Sequence, residues 1–132
     1  MRLSILTESI NMFHGGTPNK GDIVTYYTTS EEMAKSYAEM YNDRFGSGGD
    51  VHRATISLNN PAPEKLVNKE ADRIGIDHSG YTPASIFDQN LHGKKAVFAL
   101  VKSLKNLGYD GTILGDIAYG KEIEDNVYIV FS

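Results

Sequence analysis

The sequence predicts an α+β fold, and three observations support this. Short β-branched and aromatic runs recur along the chain and alternate with segments whose apolar residues have helical spacing. Stretches containing Gly or Pro separate these runs. The 132 residues are 40% apolar and 23% charged, a globular composition that excludes a disordered or collagen-like chain. We therefore expect one domain over residues 1–132.

The first part of the chain predicts two strands and a helix. Residues 10–14 and the β-branched and aromatic run 23–27 are each typical of a short strand that ends in a turn or polar stretch. Thr29 as N-cap, with Glu32 three positions later, forms a capping box. Apolar residues at helical spacing continue this helix to about Asn42.

The middle of the chain is less regular. Residues 51–58 alternate in polarity and predict a strand, which Pro61 and Pro63 end because proline lacks a backbone donor. Residues 64–91 predict short helical pieces. One of them is expected to open at Thr82-Pro83, with Pro at the first helical position.

The last part of the chain predicts one helix and two strands. Apolar residues at helical spacing mark an amphipathic helix over 94–106, with Gly108 at its C-cap. Residues 112–114 predict a short strand and residues 115–126 an acidic loop. The apolar run 127–131 predicts a terminal strand.

Composition also excludes several classes of function. The chain has no Cys, which excludes disulfides, thiolate metal sites and Cys nucleophiles. The net charge is −4 and no Lys or Arg run stands out, so nucleic acid is disfavoured as a partner. No apolar run approaches the roughly 20 residues that span a bilayer, and residues 1–9 resemble neither a signal peptide nor an anchor. We expect a soluble, cytoplasmic protein without a membrane association.

A metal site and a hydrolase triad are also disfavoured. Asp77, His78, Asp88 and His92 carry possible metal ligands, but they form no recognised ligand pattern. We therefore expect no metal. No Gly-x-Ser-x-Gly segment occurs, so the sequence offers no nucleophile elbow.

Three segments, taken together and in order, resemble the ADP-ribosyltransferase fold. They are Phe13-His14-Gly15-Gly16-Thr17 at a strand end, Tyr26-Tyr27-Thr28-Thr29 before a helix containing Tyr37, and Tyr128-Ile129-Val130-Phe131 as the last strand. The branch they resemble is that of diphtheria toxin and the poly-ADP-ribose polymerases, whose signature is His, Tyr and a late Glu. Two further segments resemble the small phage and mobile-element versions, namely Leu58-Asn59-Asn60-Pro61 and Leu107-Gly108-Tyr109-Asp110-Gly111. The resemblance implies a split β-sheet with inserted helices around an NAD cleft.

The resemblance also implies roles for four residues. His14 would bond a ribose hydroxyl of NAD, and Gly15 would offer backbone groups to the nicotinamide amide. Tyr26 and Tyr37 would hold the nicotinamide ring between them. Two rings placed at a strand end and on the next helix have the geometry to stack on both faces of a flat heteroaromatic. Tyr27 alternates to the other face of its strand and is expected to be structural.

The chain departs from the resembled pattern at its third element. The family's catalytic Glu immediately precedes the aromatic residue of the last strand, where this chain has Val127. Such a carboxylate stabilises the positive charge that develops on the ribose as nicotinamide leaves. Glu122, Glu124 and Asp125 lie nearby, and we expect Glu124 or Asp125 to take this role. The alternative is that all three belong to a solvated acidic loop. Val127 is expected to face the cleft.

The function that the resemblance implies is transfer of ADP-ribose from NAD, used as a substrate, to a macromolecular acceptor with release of nicotinamide. The loop over 115–126, with Tyr119, would select the acceptor, and its acidity favours a basic protein. The location would be the host cytoplasm if a phage encodes the chain. Two alternatives remain, a catalytically degenerate module that binds NAD or ADP-ribose, and a phage structural or interaction protein.

Overall fold

The strands form two separate sheets. The computed structural model describes residues 10–15, 23–46, 49–79, 82–117 and 124–132. In these ranges the strands are β1 (Ile10–Gly15), β2 (Val24–Tyr27), β3 (Val51–Ile56), β4 (Pro61–Ala62), β5 (Gly111–Ile117) and β6 (Glu124–Phe131). Strands β1 and β3 pair antiparallel, and the second sheet has the order β2-β6-β5-β4, with only β4 parallel to its neighbour.

Helices are inserted between these strands, which confirms the α+β class. The α-helices of the described ranges are α1 (Glu31–Phe45), α2 (Glu64–Ile74), α3 (Gln89–His92) and α4 (Lys94–Asn106). A 3-10 helix covers Pro83–Phe87. None of these helices combines the length and apolarity that a bilayer crossing requires.

A backbone bridge links the two sheets. Phe13 and Thr28 form an isolated antiparallel bridge, in which each backbone N–H donates to the other residue's carbonyl at 2.8 and 2.9 Å. Helix α1 packs on β1 and β3. The same helix also sends Met33 and Tyr37 into the core of the other sheet. Helix α1 therefore contacts both sheets next to the point where they meet.

A cluster of buried apolar side chains joins the four-stranded sheet to helices α1, α2 and α4 and the 3-10 helix. Helix α4 contributes Val97, Leu100 and Leu104, each with no exposed surface, from one face of its amphipathic pattern. Fully burying a side chain of this size contributes about 1.5–3 kcal/mol. The cluster thereby fixes the sheet face from which the cleft residues project.

Helix α1 begins one residue later than the capping box predicted. Ser30 is the N-cap, and its Oγ accepts from the Met33 backbone N–H at 3.1 Å. Thr28 Oγ1 accepts from the Ser30 N–H at 3.0 Å and fixes the preceding turn. The helix continues to Phe45, where Gly46 adopts a left-handed conformation with φ 81°.

Strands β5 and β6 are longer than the sequence predicts. Both ends of the segment 115–126, which the sequence predicts to be an acidic loop, therefore belong to strands. Residues 112–114 were expected to form the first of them, yet β5 reaches Ile117 and β6 starts at Glu124. Asp116 lies opposite Asp125 in this ladder. Aspartate has low strand propensity, and pairing between the two strands overrides that preference. Tyr119 and Glu122 lie outside the described residues.

The region 64–91 holds a longer helix than expected. Helix α2 covers eleven residues without interruption. The 3-10 helix does open after Thr82, with Pro83 in its first turn, as the sequence predicts. Pro61 and Ala62 pair in parallel with the start of β5, although two prolines in this segment predict the end of a strand. Edge positions of this kind tolerate proline because its missing donor faces away from the ladder.

Candidate functional site

A cleft of about 240 Å³ opens beside the point where the two sheets meet. Strands β1 and β2, helix α1, the 3-10 helix and β5 all contribute to its walls. Its lining residues are His14, Gly15, Tyr26, Tyr37, Met40, Tyr41, Arg44, Phe45, Ala84, Ser85, Asp88, Asp116 and Ile117. The structure thus brings together His14, Gly15, Tyr26 and Tyr37, the four residues that the resemblance singles out.

His14 is held in one orientation by strand β2. Its Nδ1 lies 2.7 Å from the carbonyl oxygen of Tyr26. Because a carbonyl only accepts, Nδ1 carries the proton and donates to it. The imidazole also packs on Tyr27, with ring centroids 5.5 Å apart and planes tilted by 49°. Tyr27 therefore supports the histidine, in agreement with the structural role that we expect for it.

Tyr26 and Tyr37 face each other in the cleft. Their ring centroids are 6.2 Å apart and their planes are tilted by 36°. A flat ring between two others needs a gap of about 3.5 Å on each side, or about 7 Å in all. The two rings must therefore part by about 1 Å and become more parallel to hold a heteroaromatic group between them.

Both phenol groups are anchored at the far end of their rings. The Tyr26 hydroxyl donates to the carbonyl of Ala84 at 3.2 Å, and the Tyr37 hydroxyl donates to Asp116 Oδ2. Burial, followed by the charge of Asp116, raises the pKa of Tyr37. Burial, followed by the charges of Asp88 and Asp116, raises the pKa of Tyr26. Both hydroxyls therefore stay protonated and act as donors at neutral pH.

Asp116 is the carboxylate that the fold brings to the tyrosines. Besides the Tyr37 bond, its Oδ1 accepts from the Thr82 hydroxyl at 2.8 Å and from the Ile117 N–H at 2.9 Å. All three donors are neutral, and no Lys or Arg of the described ranges forms an ion pair with this group. The carboxylate is held in place and contributes negative charge to the cleft.

Asp116 was missed at the sequence level because it falls in the segment expected to be a loop. A signal was nevertheless present. Alternate residues of a strand share one face, so Asp116 lies on the same face as Thr112 and Leu114. Those two side chains are fully or almost fully buried. Extending that strand by one pair of residues places the Asp116 carboxylate next to the core.

The acids expected at this position lie elsewhere or are not described. Asp125 is exposed at the start of β6, where its Oδ1 accepts from the Asn126 N–H at 2.8 Å, and it is not among the cleft-lining residues. The backbone of Glu124 pairs with Ile117, and its side chain lies outside the described residues.

Val127 does not face the cleft, contrary to expectation. Its side chain has no exposed surface and belongs to the hydrophobic core, directly opposite Leu114. Strand alternation explains this position, because Val127 shares its buried face with Ile129 and Phe131.

Gly15 is required by packing as well as by any ligand. A Cβ at this position would lie 2.1 Å from the Ala34 carbonyl oxygen and 2.7 Å from the Ala38 nitrogen, both on helix α1. Only glycine lets the end of β1 approach the helix backbone so closely. This close approach places His14 next to Tyr37.

The mouth of the cleft is formed by one face of helix α1. Tyr37, Tyr41 and Phe45 follow each other at intervals of four residues, and Arg44 lies beside them. Tyr41 and Phe45 pack with ring centroids 4.7 Å apart. The guanidinium of Arg44 is exposed, whereas Asp88 and Asp116 are partly buried. The cleft therefore runs from an aromatic, negatively charged interior to a cationic mouth.

The acids and histidines considered as metal ligands are engaged separately. His78 pairs with Asp72 at 2.8 Å, Asp77 accepts from Ser79, and Asp88 caps helix α3 through the Asn90 N–H. Across the described ranges, no group of three or more His, Asp or Glu residues has the geometry to hold a metal ion.

No protein-family model, curated protein or solved structure matches this chain.

Proposed function

We propose that this protein transfers ADP-ribose from NAD to a protein acceptor and releases nicotinamide. The observation that carries the proposal is the convergence of His14, Tyr26, Tyr37 and Asp116 on one cleft. These residues come from four different elements and from positions up to about a hundred residues apart in the sequence. The finer fold that we propose is the split sheet of the ADP-ribosyltransferases, which the two sheets on either side of the cleft support.

The charge distribution of the cleft suits NAD. The nicotinamide ring of NAD is flat and cationic, so it is attracted both by the faces of Tyr26 and Tyr37 and by the nearby carboxylates. Gly15 would approach its amide, and His14 would bond a ribose hydroxyl. The pyrophosphate is anionic, and Arg44 at the mouth of the cleft has the opposite charge and a fork of donors.

The same groups supply a route for the reaction. The bond between the ribose C1′ and the nicotinamide nitrogen breaks, and its electron pair neutralises the ring nitrogen. Positive charge then develops on the ribose, where a fixed carboxylate stabilises it. A nucleophile of the acceptor bonds to C1′ and loses its proton. Asp116 is our first candidate for the carboxylate because its three hydrogen bonds fix it in the cleft. Glu124 and Asp125 are the other candidates.

One observation favours a second function, that of a module that binds NAD or ADP-ribose without transfer. Val127 occupies the position that the resembled family gives to its catalytic Glu, and it is fully buried. If Asp116 does not act on the ribose, the cleft keeps its binding groups, and the other described carboxylate in its lining, Asp88, is engaged as the cap of helix α3.

Nicotinamide release from NAD tests the proposal. We expect Asp116→Asn to lower turnover by about 10²–10³, the scale of losing one fixed electrostatic contact. Asp125→Asn is compared with it, because Asp125 lies directly across the ladder from Asp116 and is not among the cleft-lining residues. A larger loss from Asp125→Asn or Glu124→Gln would assign the role to those acids. An inactive wild type that binds NAD would establish the binding module instead.

The acceptor is tested separately. We expect incubation of the wild type with labelled NAD and a whole-cell lysate to label protein, and Asp116→Asn to abolish the labelling. Labelled nucleic acid would contradict the proposal that the acceptor is a protein, but it would agree with the proposed transferase activity.

A further inference from the structure

A second concave surface lies along helix α4. Its cavity of about 420 Å³ has an apolar floor of Ile23, Phe98 and Val101. Lys94, Lys102 and Lys105 stand around that floor. We call this surface the lysine groove. It shares no lining residue with the cleft that contains His14.

The charge of the lysine groove is unusual for this chain. The protein has a net charge of −4, whereas helix α4 carries four lysines and no acidic residue. The ion pairs found in the described ranges involve Lys35, Arg73 and His78, none of them on this helix. Lys105 donates to the backbone oxygen of Ser132. A local cationic surface on an acidic protein attracts negatively charged groups at short range.

Two features of helix α4 are not favoured by stability or solubility. Lys94 and Lys95 occupy its first turn, where the helix dipole disfavours positive charge. Phe98 leaves 56% of its surface exposed at the centre of the lysine groove. Residues that oppose local stability in this way are expected where a surface has a binding role.

The spacing of the groove residues selects the shape of an occupant. Lys94, Phe98 and Lys102 follow each other at intervals of four residues on one helix face, which corresponds to steps of about 6 Å. In an extended peptide, alternate residues point to one side at steps of about 6.6 Å. An extended segment can therefore place three alternate side chains opposite Lys94, Phe98 and Lys102. The complementary order of those side chains is acidic, apolar and acidic.

We propose that the lysine groove binds an extended acidic segment of a partner protein, with the pattern acid-x-apolar-x-acid. The apolar side chain covers Phe98, and the two acids pair with Lys94 and Lys102. Single-stranded nucleic acid fits less well, because its binding uses successive aromatic platforms and the lysine groove offers one ring. The negative net charge of the protein also opposes the approach of a polyanion.

Fluorescence anisotropy with the full chain and a labelled peptide Ser-Glu-Ser-Phe-Ser-Glu-Ser tests this proposal. We expect saturable binding that weakens as salt is added. A peptide of the same composition with adjacent acids, Ser-Ser-Ser-Phe-Glu-Glu-Ser, should bind about threefold or more weakly, since only one acid reaches a lysine. NAD is absent from the assay, so its result is independent of the proposed transferase activity.

Matched variants locate the binding. The double variant Lys94→Gln/Lys102→Gln should weaken binding about tenfold, as should Phe98→Ser. Lys69→Gln/Lys95→Gln changes the charge equally at exposed lysines outside the lysine groove, and it should leave affinity within about twofold. All of these side chains are exposed, and an unchanged melting temperature verifies the fold. Equal losses in the two double variants would overturn the proposal. So would tighter binding of a single-stranded oligonucleotide that depends on the same groove residues.

Discussion

At the scale of single residues, the cleft depends on hydrogen bonds that sequence spacing does not reveal. The Tyr37 hydroxyl bonds Asp116, and the Tyr26 hydroxyl bonds a backbone carbonyl. The first acceptor is charged and the second is neutral. Hydrogen bonds to charged groups contribute about 1.5–3 kcal/mol, against about 0.5–1.5 kcal/mol for neutral pairs. The hydroxyls therefore matter, beyond the stacking that the sequence pattern suggests.

Phenylalanine substitutions separate these two bonds. We expect Tyr37→Phe to lower the free energy of unfolding by about 1.5–3 kcal/mol, because it removes a donor from the partly buried Asp116. Tyr26→Phe should cost about 0.5–1.5 kcal/mol. Urea denaturation of both variants and the wild type measures the difference. Equal and small losses would mean that the bond between Tyr37 and Asp116 adds nothing to stability.

At the scale of secondary-structure elements, the alternation of β6 decides what its side chains do. Val127 lies on the buried face, and Val130 lies on the opposite, partly exposed face. A carboxylate introduced at position 127 would enter the hydrophobic core without a partner. Burying an unpaired charge is prohibitively unfavourable, so the group neutralises or the fold gives way.

We therefore expect Val127→Glu to unfold the protein or lower its unfolding free energy by more than about 3 kcal/mol. The opposite result, a tolerated glutamate, would follow if Val127 faced the cleft as the sequence predicts. Val130→Glu is the matched control on the same strand and should cost less than about 1.5 kcal/mol. Circular dichroism and urea denaturation measure both. A folded Val127→Glu variant with increased nicotinamide release would contradict the buried position.

Helices α2 and α4 are joined by a polar contact as well as by their apolar faces. Glu70 Oε1 accepts from the Ser103 hydroxyl at 2.5 Å and from Arg73 Nη2 at 2.9 Å. The Ser103 bond, followed by the Arg73 bond, lowers the pKa of Glu70 below its ordinary value of 4.5. The folded protein thus holds this carboxylate ionised to lower pH than the unfolded chain does.

The sign of the resulting pH dependence follows from that lowered pKa. The contribution of Glu70 to stability is present above pH 4.5 and is lost as the pH falls through the folded-state pKa. We expect Glu70→Gln to have a lower urea midpoint than the wild type at neutral pH, and the difference to shrink below pH 4.5. A difference that stays constant from neutral to acid pH would show that ionisation of Glu70 does not contribute.

Local signals account for the elements that the sequence predicts well. Helix α4 has its predicted limits because periodicity marks its body, but its C-cap is Leu107 and not Gly108 as predicted. Gly108 follows the cap with φ 98°. The extensions of β5 and β6 were missed because each strand is stabilised by pairing with the other, and the alternation within β5 is a weak signal by itself. For the same reason, the convergence of His14, Tyr26 and Tyr37 was predictable only through the family resemblance, and Asp116 was missed.

At the scale of the whole molecule, ligand binding and folding are coupled. A ligand that binds only the folded state stabilises it, by about 2.7 kcal/mol when its concentration is a hundred times the dissociation constant. We expect NAD to raise the melting temperature of the wild type. Tyr26→Ala, which removes one ring of the pair, should lose most of that shift. No shift with NAD in the wild type would contradict both the transferase and the binding module.

Strand β2 is hydrogen-bonded to β6, so that Val24 pairs with Phe131, about a hundred positions later in the chain. Pairing at such sequence separation closes a very long loop, which makes this step slow compared with helix formation. Tyr26 lies on β2, and Asp116 lies on the strand that β6 joins to it. A nascent chain that has left the ribosome as far as helix α4 already contains His14, Tyr26 and Tyr37, yet it lacks Asp116 and the strands that bring it to them. The cleft is therefore completed only after β6 has been synthesised and has paired with β2 and β5.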